Sequence, residues 1–139
     1  MDDITVTTAT SFVDKLLATD AIHVKEPHGG TAAFHDPCRL ARDLDETEST
    51  RNIIKTLGIT LTEVFLNRKQ TKCCGGAVLS QTYPDIANDV AKGRWKDVKE
   101  AEATTLITAC PGCLCLMQRN APQGMEIRDL FVLVEEACV

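Results

Sequence analysis

Long apolar runs are absent from this 139-residue chain. No stretch approaches the roughly 20 apolar residues that a bilayer-spanning helix needs, which argues against a direct membrane span. An excess of basic charge is also lacking, with 15 Lys and Arg against 20 Asp and Glu and a net charge of −5. That balance argues against a nucleic-acid surface and leaves protein partners open. Met1-Asp2-Asp3 is acidic and carries no apolar core of a signal peptide. The expectation is therefore a cytoplasmic protein, peripheral to a membrane only through a complex. Two cofactor signatures are missing as well. There is no G-x-G-x-x-G element of a flavin or nicotinamide site. Nor is there the C-x2-C-x2-C-x3-C-P run of an ordinary electron-feeding cluster.

What the chain does have is cysteine. Seven are present in a sequence that is 44% apolar. The length suits one domain, whose core can bury about two thirds of the unfolded surface. An odd cysteine count without a secretory leader points to metal or redox chemistry rather than structural disulfides.

The centre of the pattern is Lys72-Cys73-Cys74-Gly75-Gly76. Neighbouring side chains of an extended segment point to opposite faces, so both sulfurs serve one site only if the backbone turns. Gly75 and Gly76 permit that turn and a close approach to a bulky ligand. Their N–H groups can also form a concavity for anionic sulfur. Two buried cysteines before an ordinary glycine turn would be the bland alternative. The remaining cysteines speak against it: Cys38, Cys73, Cys74, Cys110 and Cys113 form the pattern C-x34-CC-x35-C-x2-C.

Around these residues the chain alternates strands and helices. Phe12, Val13, Leu16 and Leu17 recur at helical spacing after Thr10 or Ser11 as cap. Thr31 to Phe34 reads as a buried strand running into His35-Asp36-Pro37-Cys38. There Asp36 suits an N-cap and Pro37 a first helical position, placing Cys38 in the first turn. Ser49 caps a helix bearing Ile53, Ile54 and Leu57, and Gly58 ends it. Thr60 to Phe65 has strand character and leads to the Cys73-Cys74 turn. Pro84 to about Ala101 is the longest helix, with Ile86, Val90, Val98 and the alanines on its apolar stripe. Thr104 to Thr108 is the clearest strand, followed by Cys110-Pro111-Gly112-Cys113 and a short helix. A last helix carries Ile127, Leu130, Phe131, Val134 and Ala137. This alternation implies a single α/β domain: a short, mostly parallel sheet flanked by helices, with the cysteines at the carboxyl ends of the strands.

The cysteine pattern, with its flanks His35-Asp36-Pro37-Cys38 and Thr108-Ala109-Cys110-Pro111-Gly112-Cys113, resembles the cysteine-rich CCG domain. That family includes heterodisulfide reductase subunits and the iron–sulfur subunits of glycolate oxidase, lactate-utilisation and succinate dehydrogenase complexes. The resemblance runs from about Ile4 to the C-terminus and divides the chain into a lead-in helix and linker (residues 1–30) and the cysteine-rich domain (31–139). It implies a noncubane 4Fe–4S cluster with Cys38, Cys73, Cys74, Cys110 and Cys113 as ligands. The implied protein is an oxidoreductase domain that transfers electrons and cleaves a disulfide at the cluster. Relatives often carry the motif twice, which suggests a carboxy-terminal half, excised or encoded alone. The implied partners are a second CCG domain and a ferredoxin-like electron-transfer subunit.

Zinc remains the alternative cofactor, because four of the five thiolates would suffice for a structural or interaction domain. A thioredoxin-like dithiol at Cys110 and Cys113 leaves the other three cysteines unexplained. Cys115 lies about 200° around a helix from Cys113 and is expected to point away as a small buried hydrophobe. Cys138 falls outside the pattern. His35 either hydrogen-bonds near the cluster or caps a strand end. Arg39, Arg42 and Lys72 either offset the site's negative charge and steer an anionic thiol or are solvated surface charge. The family often has histidine after the first cysteine where this chain has Arg39, and its glycine run is cut short here by Ala77 and Val78.

Overall fold

The strand anticipated before the first cysteine forms over Thr31–His35 (β1). The computed structural model describes residues 4–138. Ahead of β1, Ala9–Ala18 (α1) is capped by Thr8, whose Oγ1 accepts the Ser11 N–H at 3.1 Å. The cap thus lies earlier than Thr10 or Ser11, and Thr10 is buried. Val13 and Leu17 pack inward while Phe12 stays 52% exposed.

After β1 come Glu48–Thr56 (α2), Thr60–Thr62 (β2), Val78–Thr82 (α3) and Pro84–Glu100 (α4). Thr105–Thr108 (β3), Pro111–Arg119 (α5), Glu126–Asp129 (β4) and Leu130–Cys138 (α6) follow. Gly58, at φ +75°, follows α2 in the left-handed conformation that ends helices. The second strand stops at Thr62, short of the expected Phe65, which is exposed. Ile127 belongs to β4 rather than the last helix. Asp129 separates the two elements, its Oδ1 accepting the N–H groups of Phe131 at 2.8 Å and Val132 at 3.2 Å.

The four strands lie in the order β2-β1-β3-β4, all paired parallel. Ala33 stands opposite Leu106, and Leu106 opposite Ile127. Side chains alternate across the sheet. On one face Ala33 and Leu106 pack under Trp95 and Val98 of α4 and Leu116 and Met117 of α5. On the other, Phe34 and Ile107 meet Ile53, Ile54 and Leu57 of α2 and Leu130, Leu133 and Val134 of α6. Burying each Val, Leu, Ile, Phe or Met among them contributes about 1.5–3 kcal/mol.

From β1 the chain steps outward to β2, then crosses back to β3 and continues to β4. The direction of winding therefore reverses between β1 and β3, and a crevice opens beyond their carboxyl ends. Cys38 follows β1 and Cys110 follows β3 into that crevice.

Candidate metal centre

Asp36 organises the first segment, though not as a helix cap. Its buried carboxylate takes a two-pronged ion pair from Arg51 of α2, at 2.8 and 3.0 Å. The same guanidinium bonds Glu63 at 2.7 and 2.9 Å. The turn over Arg39–Asp43 is a π-helix, entered from Cys38 without a side-chain cap.

Asp36 also holds the loop that carries the cysteine pair. Its Oδ2 accepts the Arg68 N–H at 2.8 Å, and its carbonyl accepts the Thr71 hydroxyl at 3.0 Å. Arg42 donates to the Thr71 carbonyl. Lys72 pairs with Asp97 of α4 at 2.8 Å and lies over the Phe65 ring. Cys73 and Cys74 thus arrive on a loop fastened to the end of β1 and to α4.

The two glycines act differently. Gly75 has φ +87°, and a Cβ there would stand 2.6 Å from the Ala87 carbonyl oxygen of α4. A Cβ on Gly76 would stand 3.1 Å from the Gly112 oxygen and 3.2 Å from Cys74 Sγ. Gly75 is needed for conformation and for closeness, Gly76 for closeness alone. Their N–H groups donate to sulfur, Gly75 to Cys73 and Gly76 to Cys74, each at 3.3 Å. This is the sulfur-binding concavity anticipated from the sequence.

All five cysteines of the pattern line one cavity of about 140 Å³, together with Arg39, Gly76 and Ala77. Cys74 and Cys113 are buried and their Sγ atoms are 3.1 Å apart. Cys113 lies in the first turn of α5 and hydrogen-bonds both Cys110 and Cys74, which pushes its own thiol up. Against the opposing effect of burial, the Cys113 bond pulls Cys74 down to about 4, with help from His35 and the Gly76 N–H. The same partner, with the N–H groups of Cys113 and Gly112, pulls Cys110 down to about 6. Desolvation pushes Cys73 up despite its exposed surface. Cys113 thus acts as the shared proton donor to its two neighbours, and metal binding would require all of these thiols to be deprotonated.

Cys115 and Cys138 lie outside the cavity. Cys115 points away as expected but is exposed rather than buried, and Cys138 packs partly buried beneath the second core. Of the three flanking cations, Arg39 lines the cavity with its side chain 90% exposed and paired with Asp43 at 3.1 Å, while Arg42 and Lys72 are committed to the loop. A ring nitrogen of fully buried His35 lies within 4.8 Å of the Cys74 and Cys113 sulfurs. Behind it stands Arg94 of α4, also fully buried, whose Nε–H donates to His35 Nδ1 at 3.1 Å. Sequence reading missed Arg94, which sits in a run of charged residues. Its one signal was Asp97, an acidic residue three positions on, now its ion-pair partner.

The family model of the cysteine-rich domain, CCG, matches residues 32–118. The chain belongs to that family. It is 31% identical over 137 residues to a dihydromethanophenazine:CoB–CoM heterodisulfide reductase polypeptide of Methanosarcina acetivorans, covering 92% of this chain and 32% of that protein. An uncharacterized iron–sulfur protein of Methanocaldococcus jannaschii is 33% identical over 81 residues, 58% of this chain and 16% of its own. The glycolate oxidase iron–sulfur subunit of Escherichia coli is 29% identical over 107 residues, 76% and 25% respectively. The chain spans about a third of the length of the heterodisulfide reductase subunits it matches. Among the described residues, no helix is long and apolar enough to cross a membrane.

Proposed function

We propose that this chain is the iron–sulfur redox domain of a heterodisulfide reductase-like oxidoreductase, holding a noncubane 4Fe–4S cluster on Cys38, Cys73, Cys74, Cys110 and Cys113. One observation carries the reading: five thiols from three separated segments line a single cavity at the strand ends. The donor set suits the group, since it is all sulfur and exceeds the four ligands of zinc or a simple cubane. The Gly75 and Gly76 N–H groups offer the hydrogen bonds that cluster sulfur takes. When bound, such a cluster supplies one-electron transfer and iron sites for a substrate's sulfur.

The residues do the rest. The thiolates hold the group, Ala77 forms part of the cavity wall, and Arg39 sets a positive charge at the mouth that favours an anionic disulfide. Residues 31–139 form the functional domain and residues 1–30 its lead-in. Relatives named as reductase subunits support partner subunits here too: a second cysteine-rich domain and a ferredoxin-like electron donor.

Anoxic purification followed by iron, sulfide and zinc analysis tests the reading. About four irons with matching sulfide per chain are expected. Serine at any of the five cysteines should lower that content, while Cys115→Ser and Cys138→Ser retain it. Stoichiometric zinc without labile sulfide overturns the reading. Loss of metal in Cys115→Ser equal to that in Cys113→Ser overturns the ligand set.

A further inference from the structure

Three buried side-chain polar atoms lack a hydrogen-bond partner among the described residues: Glu46 Oε1, Thr62 Oγ1 and His35 Nε2. Only the last is a nitrogen, and its ring stands beside the thiolate cavity. His35 also has a decided orientation of charge. Arg94 Nε is always a donor, and it points its N–H at His35 Nδ1. Nδ1 must therefore present its lone pair, and the ring proton lies on Nε2.

That assignment is the reverse of what a metal-bound histidine needs. A ligating imidazole gives one nitrogen's lone pair to the metal and donates the other N–H to a carboxylate, carbonyl or water. His35 has a guanidinium where that acceptor should be. Exchanging the tautomer would set two N–H groups against each other. So although His35, Cys74 and Cys113 have the spacing of a metal site, His35 cannot serve as its nitrogen ligand.

We propose that His35 is held by Arg94 as an Nε2–H donor to the sulfur of the thiolate site, a positioning residue that raises the electron affinity of the group bound there. The chain of contacts behind it is continuous. Arg94 is fixed by the Phe65 carbonyl at 2.7 Å, the Leu66 carbonyl at 3.3 Å and Asp97 at 3.2 Å. Asp97 in turn pairs with Lys72, the residue before Cys73. One end of the relay thus sets the cysteine loop, and the other leaves a buried, unpartnered Nε2–H on a ring beside the sulfurs of Cys74 and Cys113. An N–H bond to sulfur favours the more electron-rich state, so it shifts a reduction potential upward. The proposal rests on the iron–sulfur reading for its redox consequence, and for the donor role on the Arg94 bond that fixes the tautomer and on the buried, unpartnered Nε2 beside the thiols.

The test compares His35→Phe, which removes both ring nitrogens, with His35→Gln, whose amide can accept from Arg94 and donate to sulfur. Metal content and reduction potential of anoxically purified protein are measured, and ¹⁵N NMR reads the His35 tautomer in the metal-free wild type. Expected are a protonated Nε2, near wild-type metal in both variants, a lower potential in His35→Phe and recovery toward wild type in His35→Gln. Loss of metal in both variants to the extent seen in Cys74→Ser would make His35 a ligand. An unchanged potential in His35→Phe would leave it a packing residue. A protonated Nδ1 overturns the proposal even if neither variant folds. Stoichiometric zinc in the wild type would defeat the iron–sulfur reading, while the tautomer and metal-retention results would still decide the donor role.

Discussion

Replacing Gly75 with alanine should damage both the fold and the metal site. At φ +87° a side chain is strained, by about 1–2 kcal/mol for an L-residue in a left-handed conformation. The new Cβ would also lie 2.6 Å from the Ala87 oxygen and 3.1 Å from its Cα. Both atoms are helix backbone, so neither can swing aside as a flexible side chain would. Relieving such overpacking adds about 1–3 kcal/mol, for a total of about 2–5 kcal/mol. Against a typical domain stability of about 5–15 kcal/mol, that is a large fraction. Relief by moving the loop would displace Cys73 and Cys74 from the other three thiols. The assay is urea denaturation of metal-free protein together with iron and sulfide analysis after anoxic reconstitution. Gly93→Ala is the control: it lies in α4 with nothing within 4 Å of the added Cβ, and it should stabilise by about 0.8–1 kcal/mol. A Gly75→Ala protein with wild-type midpoint and full metal content would refute the placement of the turn against α4.

Arg51→Met should destabilise by about 3–5 kcal/mol, because it strands the buried Asp36 carboxylate, and urea midpoints will show it. In metal-free protein, iodoacetamide should label Cys110 before Cys73 between about pH 6 and 8, although Cys73 is the more exposed. A thiol pulled down to about 6 is thiolate above that pH, whereas one pushed up reacts only in more alkaline solution. Peptide mass spectrometry decides the order, and earlier labelling of Cys73 at neutral pH would contradict the hydrogen bonds assigned to Cys110.

The strands that carry the centre were legible because they are short apolar runs ending at cysteines, as in Thr31–His35 and Thr105–Thr108. The fourth strand was not: Glu126-Ile127-Arg128-Asp129 holds one apolar residue, lies on a sheet edge and enters α6 without a glycine or proline between. The long helix was found with most of its inner face: Ala87, Ala91 and Val98 are buried as expected, whereas Ile86 is 54% exposed and the buried Arg94 and Trp95 were not anticipated. Asp97 alone marks Arg94 locally, because its other partners are backbone carbonyls and a histidine 59 residues away. Asp36 misled for a similar reason. Its position before Pro37 suits a cap, but a buried guanidinium from α2 outcompetes the local N–H groups for its carboxylate.

The parallel pairing of β1 with β3 sets an order of events during synthesis. Ala33 cannot meet Leu106 until the intervening chain has left the ribosome. At about 5–20 residues per second, Cys110 follows Cys74 by roughly 2–7 s. For that interval Cys38, Cys73 and Cys74 are reactive thiols without the sheet that gathers them. A metal or oxidant reaching them early would meet a chain unable to complete the site. Productive loading therefore belongs after the central ladder closes, and a cell making this protein gains from withholding metal until then.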